Sequence, residues 1–153
     1  MRRTDREITD RAVIDEFLHK ATVIYIGLSH EGKPYVVPMN FGYDGEHIYL
    51  HSAQAGKKIE AIHQCAYISF TAVAYDVVVP GENAACNWSA KYQSVMGGGT
   101  ASFIHDEEEK KQALDHLMHK FEKGPFEYHP QVLARMVIIK IKISEISGKQ
   151  AGY

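Results

Sequence analysis

Two adjacent lysines open the helical part of HSAQAGKKIEAI, residues 51–62. His51 and Ser52 close an alternating apolar run, and Gly56-Lys57-Lys58 begins a helical pattern. Ammonium groups beside the positive end of a helix are unfavourable, by roughly 0.3–1 kcal/mol each, and Asp or Glu is the ordinary choice there. Free backbone N–H groups, a hydroxyl and two ammonium groups together suit an anion. The residues alone leave both readings open: a solvated helix start, or a seat for an anion.

Other residue types with chemical potential lack partners. Nine histidines raise the question of a metal. His116 and His119 lie three apart on a helical stretch, but with no HExxH and no second ligand pair. His63 and Cys65 fall at a helix-to-strand junction without a tetrahedral set, so no metal site is expected. Cys86 has no recognisable His-Asp or His-Asn partners for a nucleophile's role. The DEEEKK stretch is acidic and then basic along the first turns of a helix, which is favourable helix electrostatics and needs no function.

Composition narrows the classes. The chain has 153 residues, 45% hydrophobic and 24% charged, with a net charge of −2. That suits one globular domain spanning 1–153. No basic run is long enough for nucleic-acid binding, and no apolar run reaches a membrane span. The charged N-terminus MRRTDREITDR lacks an apolar signal region, and the two cysteines make no disulfide framework. A reducing cytoplasm is the expected location.

The elements that must position these residues follow from periodicity. Thr9 or Asp10 caps a first helix with an apolar stripe of Ala12, Val13, Ile14, Phe17 and Leu18. ATVIYIGLS reads as a strand, HEGK as a turn and PYVVPMNFGYD as a second strand. Pro38 puts that strand at an edge, or makes it bulged or interrupted. Asp44-Gly45 signals a hairpin into EHIYLHS. A short helix follows, with Ile59 and Ile62 on one face, and then the long strand CAYISFTAVAYDVVV. KYQSVMGGGTASFI is a fifth strand whose three glycines suggest a bulge. Asp106 caps another helix, with Glu109 placed as in a capping box and Gly124-Pro125 as its stop. ARMVIIKIKISEISGK is a last long strand, with Val137, Ile139, Ile141 and Ile143 on one face. The pattern predicts a mainly β protein: a barrel of about six antiparallel strands with three helices inserted.

MRRTDREI, VPMNFGYDGEHIYLHSAQAGKKIEAI and YQSVMGGGTA, in this order, resemble the nitroimidazole-resistance proteins, a group within the pyridoxamine 5′-phosphate oxidase-like FMN-binding split barrels. The resemblance spans almost the whole chain. It implies a homodimer binding FMN, in some members FAD, in a cleft between subunits. It places Ser52, Lys57 and Lys58 at the flavin phosphate, and the ring near Val37, Pro38, Met39 and Asn40, with backbone groups freed where Pro38 breaks the ladder. His51 faces the same pocket or is an exposed polar partner. Trp88 and Tyr92 stack on flavin or substrate or fill the dimer interface, and Ser94 reaches the phosphate or ring. The implied activity is flavin-dependent reduction of small nitro-aromatic, nitroimidazole-type molecules, with NADH or NADPH as electron donor and His51 and Tyr92 as hypotheses for proton delivery. Three rivals stand. One is a pyridoxamine-phosphate oxidase, disfavoured because the arginines, at positions 2, 3, 6, 11 and 135, form no cluster near these motifs. Another is a non-enzymatic flavin- or haem-related binding protein or redox sensor. The third is a flavin-free structural dimer.

Overall fold

The computed structural model describes residues 3–153, so the first two residues of the MRRTDREI motif lie outside it. Helix α1 (Arg11–Lys20) starts where the Asp10 carboxylate accepts the Ala12 N–H at 2.9 Å, and it buries Ile14, Phe17 and Leu18. Of the two expected caps, Asp10 is the one used. Strands β2 (Val23–His30) and β3 (Lys33–Asn40) form a hairpin. Their pairing runs without a shift from Val23 opposite Asn40 to His30 opposite Lys33. Pro38 therefore lies opposite Tyr25 in an intact ladder, and the expected break is absent. The edge position explains this: β3 pairs with β2 alone, so a residue with no N–H needs to face only one neighbour.

Strands β4 (Gly42–Tyr43) and β5 (His47–Ala53) make the second hairpin, at Asp44-Gly45 as expected. The Asp44 carboxylate organises it, accepting the N–H groups of Glu46 (2.8 Å) and His47 (2.6 Å) and the Tyr49 hydroxyl (2.7 Å). Helix α2 (Lys57–Gln64) leads to the long hairpin of β6 (Tyr67–Val79) and β7 (Ser89–Ile104). Helix α3 (Glu107–Met118) is capped by Asp106, which accepts the Glu109 N–H at 3.0 Å. A short α4 (Pro130–Leu133) precedes β8 (Met136–Ala151), and β1 (Glu7–Ile8) pairs with β8. The three-glycine run does carry an irregularity: the β7–β8 register shifts between Gly98 and Gly99.

The sheet has eight strands, the expected set plus the short β1 and β4, and its order is β3-β2-β6-β7-β8-β5-β4 with all pairs antiparallel. Its two ends, β3 and β4, are separated by Phe41 alone. One residue spans no more than about 7 Å between its neighbours, so the ends must meet and the sheet curls into a barrel. Ile24, Ile26, Ile48, Leu50, Ile68, Ile139 and Ile141 fill it, and α1 and α2 add Leu18, Ile59 and Ile62. On the other face of β8, Ile138 packs with Tyr49, Leu114 and Leu133 under α3 and α4.

Helix α3 ends at Met118, before the Gly124-Pro125 stop read from the sequence. The reason is tertiary. Lys120 turns inward, donating from Nζ to Leu18 O (2.7 Å) and Ala21 O (2.8 Å) at the end of α1, with Nζ 3.2 Å from the Phe41 ring centroid. Burial pushes this ammonium's pKa down to about 7. It satisfies helix-end carbonyls of the kind left without partners within a helix. A Cβ on Gly42 would meet Leu117 N at 2.7 Å, so α3 approaches β4 as closely as a glycine permits.

Candidate functional site

The sheet alternation sorts the residues of β3. Tyr35, Val37 and Met39 are half-buried and pack against the core, whereas Pro34, Val36, Pro38 and Asn40 are exposed on the other face. Met39 meets α2: Lys58 Nζ lies 3.3 Å from Met39 Sδ. The Lys57 ammonium lies 4.5 Å from the Tyr35 ring centroid, a cation–π contact that the sequence reading missed. The only signal for Tyr35 in the sequence is its place two residues before Val37, on the inward-facing side of the strand.

The start of α2 differs from those of α1 and α3. Those helices carry a carboxylate cap, Asp10 and Asp106. Helix α2 has Gly56 at its cap, at φ 116°, and no side-chain cap hydrogen bond. No side-chain cap takes its first N–H groups, and neither ammonium has a carboxylate partner among the described residues. Burial lowers the Lys58 pKa, as expected for a cation without a counter-ion. Ser52 is buried, 9% exposed, at the end of β5, and His51 beside it points to the opposite face. His51 is open to solvent on one side. Protein packed around the rest of the ring, and then the Lys58 charge, push its pKa down, so the imidazole is neutral at neutral pH.

Asn40 and the β7 residues lie differently. The Asn40 amide donates to Thr22 O at 2.9 Å, which commits its nitrogen. Trp88, Tyr92 and Ser94 fall on or just before the first half of β7, between β6 and β8. Trp88 is 54% exposed. The Tyr92 hydroxyl accepts from Arg6 Nη1 at 3.3 Å, and Lys149 Nζ lies 5.5 Å from its ring centroid. The Arg6 hydrogen bond lowers the Tyr92 pKa, with Lys149 adding to it. Among the described residues no hydrogen bond, ion pair or ring contact joins this group to His51, Lys57 or Lys58 within one chain. Among the described residues no group of His, Cys, Asp or Glu is arranged to hold a metal ion, and no helix is long and apolar enough to cross a membrane.

The outer face of β3, β2, β6 and β7 is apolar and uncovered. Tyr25, Val36, Val73 and Met96 are each 40% or more exposed. Tyr25, Val36 and Met96 line an open cleft of about 350 Å³ with Phe70 and Thr71.

A sequence model of the pyridoxamine 5′-phosphate oxidase family matches residues 10–150. The chain belongs to that family. Among solved structures, a candidate 5-nitroimidazole antibiotic resistance protein from Bacteroides thetaiotaomicron is similar over 94% of this chain and 86% of its own, with 33% identity and a TM-score of 0.83. The nitroimidazole-resistance resemblance read from the sequence motifs is thus borne out, as is the split-barrel fold. The flavocytochrome Anf3 from Azotobacter vinelandii shares 24% identity over 100% of this chain and 72% of its own, with a TM-score of 0.85. An FAD- and haem-binding protein from Mycobacterium smegmatis shares 23% over 97% and 74%, with a TM-score of 0.84. These two likenesses establish the fold alone. No curated protein matches the chain.

Proposed function

We propose that this family member is a flavin-binding oxidoreductase that reduces small nitro-aromatic compounds, with its site completed at a homodimer interface. One observation carries the flavin reading. Helix α2, in contrast to α1 and α3, starts with no carboxylate cap and with two ammonium groups that no carboxylate pairs among the described residues. A phosphate monoester suits that arrangement in charge and in hydrogen-bond donors. Similarity to the Bacteroides thetaiotaomicron resistance protein, at 33% identity, supports nitroimidazole-type compounds as the substrate class.

The residues fit FMN: Ser52, Lys57 and Lys58 at the phosphate, Val37, Pro38, Met39 and Asn40 along the ring, mostly through the outward backbone groups of edge strand β3. FAD is accommodated if the site continues beyond the phosphate. When bound, a flavin supplies hydride chemistry, with NADH or NADPH as the electron source. The chain's own contribution is orientation, exclusion of water and charge. His51, neutral beside Lys58, is placed to donate or accept a proton through its ring nitrogens. Tyr92, its hydroxyl activated by Arg6, is the second candidate for proton delivery.

Dimerisation accounts for two features together. It covers the apolar face of Tyr25, Val36, Val73 and Met96. It also brings the Trp88, Tyr92 and Ser94 group of one subunit to the Lys57 and Lys58 group of the other, which the single chain keeps apart. A pyridoxamine-phosphate oxidase would need further cations for a second phosphate, and Arg3 and Arg11 are already paired with Asp5 and Asp15. The purified protein should carry or take up FMN or FAD, seen as visible flavin absorption, and with NADH or NADPH should reduce a nitroimidazole anaerobically. A colourless protein that binds neither flavin ends this reading; a flavoprotein without turnover leaves a flavin-binding or redox-sensing role.

A further inference from the structure

His19, Tyr43, His116, His119 and Lys120 line one solvent-open cavity of about 280 Å³, where the end of α1 meets the end of α3 and β4. Its histidines differ from those paired elsewhere. His30 faces Glu60 at 3.4 Å, and His47 faces Asp44 at 3.1 Å. The three cavity imidazoles have ring contacts only. His19 lies 5.4 Å from Tyr43, His116 is stacked on Tyr49 at 5.3 Å, and His119 is edge-on to Phe126 at 5.2 Å. Among the described residues no acceptor takes any of their ring nitrogens.

Several carboxylates of the surrounding elements already accept hydrogen bonds, while Glu109 on α3 acts on Tyr49, the ring stacked with His116. On α1, Asp15 holds Arg11 and the Tyr43 hydroxyl, and Glu16 holds Lys20. On α3, Asp115 accepts from Tyr128. After α3, Glu122 accepts the Lys123 N–H. In the β4–β5 turn, Asp44 is taken by Tyr49, Glu46 and His47. Lys120 closes one side of the cavity, its Nζ spent on two carbonyls and the Phe41 ring.

We infer that this cavity binds a small oxyanion, a phosphate or a carboxylate, held by the ring N–H groups of His19, His116 and His119. A neutral imidazole carries one ring N–H donor and a protonated one carries two. Three such rings line this one cavity beside Lys120, and an anion in it would accept hydrogen bonds from them. Their aromatic contacts hold the ring planes, so little orientational freedom is lost on binding. The cavity, about 280 Å³ and open to solvent, has room for a compact anion. The site involves none of the residues assigned to flavin and does not depend on that assignment.

The test is a titration of the full-length protein, as purified, with inorganic phosphate and separately with acetate, read on the histidine ring signals by NMR. The signals of His19, His116 and His119 should shift together and saturate. The His51 signal reports any binding at α2 separately. Replacing His116→Ala with His119→Ala should weaken binding about tenfold or more. If that variant misfolds, His19→Ala, exposed on another helix, gives the same readout. The tighter of the two anions identifies the ligand class. Absent shifts, shifts that never saturate, or unchanged binding by the histidine variants would each overturn the inference.

Discussion

Lys58 Nζ lies 3.3 Å from Met39 Sδ, joining the first turn of α2 to the edge strand β3. A thioether is a weak acceptor without charge, so this contact positions the ammonium without neutralising it. The charge stays available to an outside anion. Lys57, held over the Tyr35 ring, is in the same condition.

Reversing both charges, Lys57→Glu with Lys58→Glu, should therefore abolish flavin retention while leaving the fold intact. Charge-assisted hydrogen bonds contribute about 1.5–3 kcal/mol each, so affinity should fall roughly a hundredfold or more. Flavin fluorescence titration measures the loss, and circular dichroism checks the fold. Carboxylates also suit the start of α2 better than lysines do, so no destabilisation is expected. Retention at the wild-type level would move the phosphate elsewhere.

His51→Ala tests proton delivery. General acid–base catalysis contributes about 10²–10⁴-fold, so turnover should fall by at least the lower figure with flavin still bound. Because its folded pKa is lowered by burial and by Lys58, any limb of the pH–rate profile due to His51 should lie below the ordinary histidine value of about 6.5. Normal turnover and an unchanged profile would take His51 out of the mechanism.

Asp44 sets an acid limit on stability. Burial alone would raise its pKa, but the Tyr49 hydroxyl, the Glu46 and His47 N–H groups and the His47 ring outweigh that and hold it well below the usual carboxylate range. A depressed folded pKa means that stabilisation is full above the unfolded value of about 4 and drains away as pH falls towards the folded value. Urea denaturation should show this loss in the wild type and a flatter profile in Asp44→Asn. That variant should also lose about 1–3 kcal/mol at neutral pH, since the Glu46 and His47 N–H groups lose a charged acceptor.

Gly42→Ala should destabilise by about 1–3 kcal/mol, the usual cost of overpacking. The new methyl would lie 2.7 Å from Leu117 N and 2.9 Å from His116 C, backbone atoms with no rotamer to yield. A lowered melting temperature with α3 still formed is the expected result. An unchanged melting temperature would mean that α3 can slide off β4 at little cost.

Some of this was legible in the sequence because the chemistry is local. A proline cannot donate to a second neighbour, and β3 is an edge strand. An aspartate followed by glycine makes a tight turn, and β4–β5 turns there. Lysines at a helix start are anomalous within a few residues, so α2 stood out without any structure. Other features depend on distant residues. Two-residue strands such as β1 leave no periodicity, and only β8 makes one of Glu7–Ile8. Helix α3 stops early because Lys120 reaches α1, a partner that no local pattern names. His116 and His119 read from the sequence as exposed helix residues, because His19, which shares their cavity, comes from a helix far away in the chain.

Strand β8 pairs with β1, β5 and β7, and β5 carries β4, so β8 alone links the β4–β5 hairpin to the rest of the sheet. It is also the last of the eight strands in chain order. A nascent polypeptide leaving the ribosome can form the β2–β3 and β6–β7 hairpins early, but His51 and Ser52 have no sheet partner until β8 has emerged. The candidate site around His51 and Ser52 is therefore assembled only once β8 has emerged, and a ribosome stalled upstream of β8 would hold a half-sheet with an open apolar edge for chaperones to guard.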